Sequence, residues 1–288
     1  AIDNVPNLDQ HDTEDLIDRI RGLRAMGVGV FISCRPSNRQ LIHGLGDSVK
    51  INAQMLKVHA YEYSAWASAF SISTSLDFYQ LTQGVPELVS AMQSGLYGQG
   101  DVAQMLENEI VNIYGAALVD LASLENNALF SVACLMVLMG EGNISELEAC
   151  GVRLSAIDQS YLVRDYPIFG VDPADRSFTC LGTEDNARLR LRKLVAEIRP
   201  ELVVRAARIL IKAGRCDIAM DLADAFLDRS AVLEFAGQYG VDLALTGHGG
   251  DVCRAALGKS EADGQASEPT PDEALGIYLA AVSVSNTK

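Results

Sequence analysis

Two residues in the first third of the chain, Asp3 and Arg35, have the types and positions to act on a phosphate, and Gly84 and Pro86 mark a tight turn into a helix. Asp3 follows Ala1 and Ile2 at what reads as the end of a buried strand, and Arg35 follows the apolar run Gly27-Val28-Gly29-Val30-Phe31-Ile32-Ser33-Cys34. Gly84 and Pro86 stand together in Thr82-Gln83-Gly84-Val85-Pro86. A carboxylate at a strand end can hold magnesium, and an arginine beside it can contact a terminal phosphate. Ligands of open parallel sheets sit beyond the carboxyl ends of the strands, so Asp3 and Arg35 would face one crevice. Gly84 lets the backbone bend tightly, and Pro86 suits a first helical turn, where its missing N–H costs nothing. The plainer alternative has Asp3 capping a turn and Arg35 in solvent.

The elements that must position these residues follow from periodicity. Leu16, Ile17, Ile20, Leu23 and Met26 recur at helical spacing and predict a crossover helix over 14–26, leading into a strand over 28–33. Only Ala1 and Ile2 precede Asp3, fewer than a buried parallel strand carries, so the chain is expected to begin within a domain. Val49-Lys50-Ile51-Asn52 and Leu56-Lys57-Val58 are candidate short strands. A helix is expected over 64–71, with Trp66 spaced against Ala67 and Phe70, then another over 76–81 and a third from Pro86 to about Met92.

Composition bounds the function classes. The 288 residues are 49% hydrophobic and 21% charged, enough for a sizeable core and more than one domain. A net charge of -15 opposes free nucleic-acid binding, which needs clustered Lys and Arg. The six cysteines, Cys34, Cys134, Cys150, Cys180, Cys216 and Cys253, form no CxxC pair and read as reduced, buried residues of a cytoplasmic protein. No apolar run reaches membrane-span length. His11, His43, His59 and His248 are scattered, with neither a GxSxG elbow nor HExxH spacing, which argues against a hydrolase. Residues 253–260 end in Gly258-Lys259-Ser260 like a phosphate loop, yet Cys253 replaces the first glycine and the context is helical.

The middle of the chain has a different organisation. Helices are expected over 102–124 and 126–139, then a break at Gly140-Glu141-Gly142, a short helix capped by Asn143 or Ser145, and another over 155–159. Residues 167–171 and 176–181 read as strands around the turn Asp172-Pro173-Ala174-Asp175. Helices, a short helix-turn-helix and a hairpin compose a winged helix. Its presumed recognition segment, 151–159, carries one arginine and one aspartate, so a protein-contacting role is expected over DNA binding. Beyond it, helices over 186–198, 201–212, 216–227 and 230–239 carry small Ala206, Ala207, Ala219 and Ala223 at a crossing, as tetratricopeptide-like hairpins do. The basic run Arg188, Arg190, Arg192, Lys193 is expected on a solvated face, with a phosphate or acidic partner as the alternative.

In order, Asp3 at a strand end, a strand closing on Arg35, the Tyr61-Glu62-Tyr63 approach and Gly84-Val85-Pro86 at a helix start resemble the back half of the nucleotide-binding region of signal-transduction ATPases with numerous domains. The resemblance is to the maltose-regulon-activator type of bacterial transcriptional regulator and covers roughly residues 1–95. It implies that Asp3 is the Walker B acid and a magnesium ligand, that Arg35 senses phosphate, and that the Gly84–Pro86 turn touches ATP or ADP. The expected fold class is mainly α and multidomain, with these boundaries: 1–60, a partial P-loop-type α/β segment; 61–100, a small helical segment; 101–183, the winged helix; 184–258, helical hairpins; 259–272, a flexible loop; 273–288, a terminal helix. The expected role is a regulatory, coupling fragment that is not an enzyme as given and holds no cofactor by itself. Its phosphate loop would lie upstream of Asp3 and its output domain downstream of Lys288, as parts of one parent. Asn4 stands where hydrolysing relatives carry a second carboxylate, and an amide cannot serve as a base. The alternative is a non-catalytic helical scaffold with a relic α/β segment, binding a protein or small-molecule effector through its C-terminal helices.

Overall fold

Two short strands at the start of the chain pair, and the first runs on to Val5, so Asp3 is an exposed residue within the strand and not its carboxyl end as expected. In the computed structural model, β1 (Ile2–Val5) and β2 (Ile32–Cys34) run parallel, joined by α1 (Gln10–Ala25), whose first turn is closed by the Asp9 carboxylate accepting from the Asp12 amide. Val5, Ile17 and Leu41 form a small core there, the last from α2 (Arg39–Gly44), with Ile2, Leu8, Leu16 and Ile32 packed around it. The structure describes residues 1–69, 76–98, 101–124, 127–181, 185–258, 274–275, 277–278 and 281. They divide into two compact units, Ala1–Phe130 with Ala156–Ile168, and Ser131–Ser155 with Phe169–Lys288.

Two expectations in the first unit are corrected. The second strand occupies only Ile32–Cys34, because Val28 and Phe31 are 46% and 78% exposed and have no sheet face to cover them. The candidate strands at 49–52 and 56–58 do not form: Val49 and Ile51 are exposed, and a 3₁₀ turn occupies Ala53–Leu56, capped by the Asn52 side chain accepting from the Met55 amide. Then come α3 (Ala60–Ala69), α4 (Leu76–Thr82), α5 (Pro86–Gly98), α6 (Val102–Ala122) and α7 (Asn127–Met139), the unit boundary falling within α7. Phe70 and Ser71 of the expected 64–71 helix lie outside the described residues.

In the second unit the expected break after α7 is itself a strand, β3 (Glu141–Asn143). It leads into α8 (Ile144–Ala149), where Asn143 and Glu146 close a reciprocal capping box. After α9 (Ala156–Asp165) of the first unit, β4 (Phe169–Val171) and β5 (Ser177–Cys180) complete a three-stranded antiparallel sheet in the order β3-β5-β4. Helices α10 (Asp185–Ile198), α11 (Glu201–Lys212), α12 (Cys216–Phe226), α13 (Arg229–Leu245) and α14 (Gly249–Gly258) follow. Ala206, Ala207, Ala219 and Ala223 are buried on α11 and α12, which pack together across a turn at Gly214. The chain is mainly α and multidomain, as its pattern predicts.

The basic run on α10 is not uniformly solvated. Arg192 is 8% exposed, and its Nε donates to the Leu138 carbonyl at 2.9 Å, near the end of α7. Nearby, the Arg215 Nη1 donates to the Glu141 carbonyl at 2.6 Å, and the Arg205 Nη2 to the Cys150 carbonyl at 3.1 Å. These guanidinium groups satisfy backbone acceptors at the ends of α7, β3 and α8. The expected loop at 259–272 lies outside the described residues, as do Lys259 and Ser260; five residues of the expected terminal helix are described, and all five are helical. Among the described residues no helix is long and apolar enough to cross a membrane.

Candidate functional site

Gly84 shapes the site. It adopts a φ of +73°, and an added Cβ would meet the Val58 carbonyl oxygen at 2.0 Å. The Val58 amide donates to the Gly84 carbonyl at 2.8 Å, so the two backbones touch directly. Only glycine permits both the left-handed turn and that approach. Val85 and Pro86 are thereby delivered to the start of α5 beside the 3₁₀ turn, as the sequence pattern requires.

A cavity of about 290 Å³ opens there within the first unit. Its apolar lining comes from Leu56, Val85, Pro86, Ile113, Ala117 and Ile168, and its polar groups are Arg35, Glu87, Asp120, Asp165 and Tyr166. The structure thus brings Arg35 and Pro86 to one concavity, with Arg35 the sole cation among the lining residues. Such a volume lies near the lower limit of small-molecule sites.

Asp3 and Gly84 are not lining residues. Asp3 is exposed and accepts a hydrogen bond from the Ser33 hydroxyl, whose oxygen in turn accepts the Asn4 amide at 2.7 Å. Among the described residues no three His, Cys, Asp or Glu side chains converge on a metal position. One exposed carboxylate beside a hydroxyl does not fit a resident metal.

The polar node that sequence reasoning missed is Asp120. It lies in the last turn of α6, on its buried face, is 3% exposed, and accepts from the Ser37 amide at 3.1 Å, the Ser37 hydroxyl and the Tyr166 hydroxyl. Three donors offset the cost of burying a carboxylate. The Asn7 Nδ2 donates to the Ser37 and Ser123 hydroxyls at 3.0 and 2.9 Å, tying both loops to the C-terminal end of α6. The Arg39 guanidinium sits 4.2 Å over the Tyr161 ring of α9, and that ring meets Tyr166 edge-on at 5.6 Å. The only sequence signal was an acidic residue interrupting an apolar helical face; its partners lie too far away in sequence to be inferred.

Burial sets the protonation of the hydroxyl and thiol groups around Asp120. Burial pushes the Tyr166 hydroxyl far above the usual phenol range, and its hydrogen bond to Asp120 pushes further. Burial also raises Tyr161, against the opposing effects of its contacts with Tyr166 and Arg39. The Cys34 thiol is raised first by burial and then by the charge of Asp120. Both Tyr166 and Cys34 therefore stay protonated at neutral pH, and neither is an activated nucleophile. A second groove of about 630 Å³ between α5 and α6 presents Ser90, Ser94, Asn108 and Glu109, with no cation among its lining residues. No family model matches the chain, and no curated protein or solved structure matches it significantly.

Proposed function

We propose that the first unit is the nucleotide-facing part of a regulator of the signal-transduction ATPase type, binding a purine nucleotide without hydrolysing it. The observation that carries this reading is the meeting of Arg35 and Pro86 at one cavity of about 290 Å³. In this reading the guanidinium of Arg35 contacts a phosphate, the apolar wall at Val85 and Pro86 receives the base or ribose, and any magnesium travels with the phosphates, Asp3 lying outside the cavity lining. Asn4, following Asp3, supplies no base for hydrolysis.

The rest of the chain is then a transmission element. In the second unit, β3 and α8 followed by the β4–β5 hairpin, with sheet order β3-β5-β4, support the wing of a winged helix, while α9 belongs to the first unit. The inward Tyr161 and Leu162 of α9, and the pairing of Arg164 with Asp165, support a protein-contacting role over insertion into a DNA groove. The α11–α12 pair supports a tetratricopeptide-like hairpin at which an effector docks.

Isothermal titration of the chain with ADP and ATP, with and without magnesium, tests the reading. Weak magnesium-dependent binding is expected, since contacts from a phosphate-cradling glycine loop are not among those described. Arg35→Ala should weaken it by about tenfold, the loss of one charge-assisted contact. Equal binding by both proteins removes Arg35 from the site. No binding by either returns the chain to the alternative of a helical scaffold.

A further inference from the structure

We propose that Asp120 is a positioning residue that couples the Arg35 loop to α9, so that an anion bound at Arg35 is reported to α9 through the Asp120 carboxylate. The proposal rests on reading the cavity as an anion site, and its geometry comes from contacts on both sides of one side chain. Toward the loop, Asp120 holds the amide and hydroxyl of Ser37, two residues beyond Arg35, so the backbone bearing the guanidinium is fixed against α6. Toward α9, the same carboxylate holds the hydroxyl of Tyr166, the residue after Asp165 that ends the helix.

Arg39 on Tyr161 forms a second tie between the same two segments, and the Tyr161 and Tyr166 hydroxyls are 3.5 Å apart. The loop and the helix thus meet at a buried carboxylate with few alternative arrangements. Moving Ser37 to follow Arg35 toward a phosphate must either drag Asp120 and Tyr166 with it or break charge-assisted hydrogen bonds inside the protein. A two-state choice of this kind can carry information between sites.

Hydrogen exchange read by mass spectrometry tests the proposal on the whole chain, using ADP with magnesium as the probe. In the wild type and in Ser37→Thr, which keeps the hydroxyl, ADP should slow exchange in both 35–39 and 157–165. In Ser37→Ala, whose side chain is not part of the cavity lining, ADP should still slow 35–39, while its effect on 157–165 falls by about tenfold, the worth of one hydrogen bond to a charged acceptor. An undiminished effect on 157–165 in Ser37→Ala overturns the relay. If ADP slows neither segment in the wild type, the anion reading fails, and the relay is judged on the ligand-free proteins. There Ser37→Ala and Tyr166→Phe should each speed exchange in 157–165, and the double variant should exceed the larger single effect only slightly, because both act through one carboxylate. Multiplying effects would show that Asp120 connects nothing.

Discussion

Replacing Gly84 by alanine should damage the first unit more than an equivalent change at any other left-handed glycine of that unit with open space around it. Two costs arise. A left-handed alanine is about 1–2 kcal/mol less favourable than glycine. The new Cβ would also lie 2.0 Å from the Val58 carbonyl oxygen, a backbone atom that cannot swing aside, so the Val58 to Gly84 hydrogen bond of 2.8 Å must open, losing about 1 kcal/mol. Gly27 supplies the control: its φ is +79°, and nothing lies within 4 Å of an added Cβ. Gly27→Ala should therefore show the conformational cost alone, about 1–2 kcal/mol, while Gly84→Ala costs about 1 kcal/mol more. Urea unfolding followed by circular dichroism reads both, with the comparison made at a common m-value. Equal midpoints would refute the claim that Gly84 is required by close approach to Val58, and with it the account of how Pro86 reaches the cavity.

Three further outcomes follow from the same contacts. Asp120→Asn removes a negative charge near Cys34, so the pH at which the Cys34 peptide becomes reactive to iodoacetamide should fall while staying above the usual thiol range, because burial is the larger cause; an unchanged profile would separate Cys34 from Asp120. Burial pushes the Cys134 thiol up from 9.0 to about 12. The folded chain keeps a proton there that the unfolded chain loses, so this contribution is fully present below pH 9 and is lost as pH rises toward 12, by at most about 4 kcal/mol. Cys134→Ala should flatten that part of the alkaline stability curve, measured by urea titration at several pH values. Arg192→Met should destabilise the second unit by about 2 kcal/mol in thermal unfolding, because the Leu138 carbonyl loses its charged donor, whereas Lys193→Met on the exposed side should change stability by less than about 0.5 kcal/mol.

Local chemistry made much of the fold legible. The spacing of Leu202, Val203, Ala206, Ala207, Ile209 and Leu210 on α11, the Asn143 cap and the Asp172–Asp175 turn all act within a few residues, and all appear where the sequence places them. Val49 and Ile51 misled because alternation marks a strand only when a partner edge is available, and these residues are exposed instead. Arg192 misled for the opposite reason: four basic residues within six positions suggest solvent, yet a helix turns 100° per residue and puts Arg192 over the end of α7. The site divides in the same way. Gly84 and Pro86 carry signals in their own backbone chemistry, whereas the role of Asp120 depends on Ser37 and Tyr166, distant partners that no local rule associates with it.

That division bears on what Asp120 is for. A leucine at position 120 would suit the apolar face that α6 presents through Ile110, Ala117, Leu118 and Leu121, so helix packing alone does not call for a carboxylate. A buried charge held by polar partners is weak evidence for stability, since apolar groups of the same shape often replace such a set at little cost. What an apolar set could not do is fix one orientation of the 35–37 loop: dispersion contacts tolerate a small slide, whereas the Ser37 amide and hydroxyl together define a direction as well as a distance. Arg35 reaches its cavity from that loop, and the direction of a guanidinium decides which oxygens of a phosphate it can contact. The carboxylate therefore supplies angular precision at the one cation lining the cavity, and the bond to Tyr166 makes α9 sensitive to the same angle.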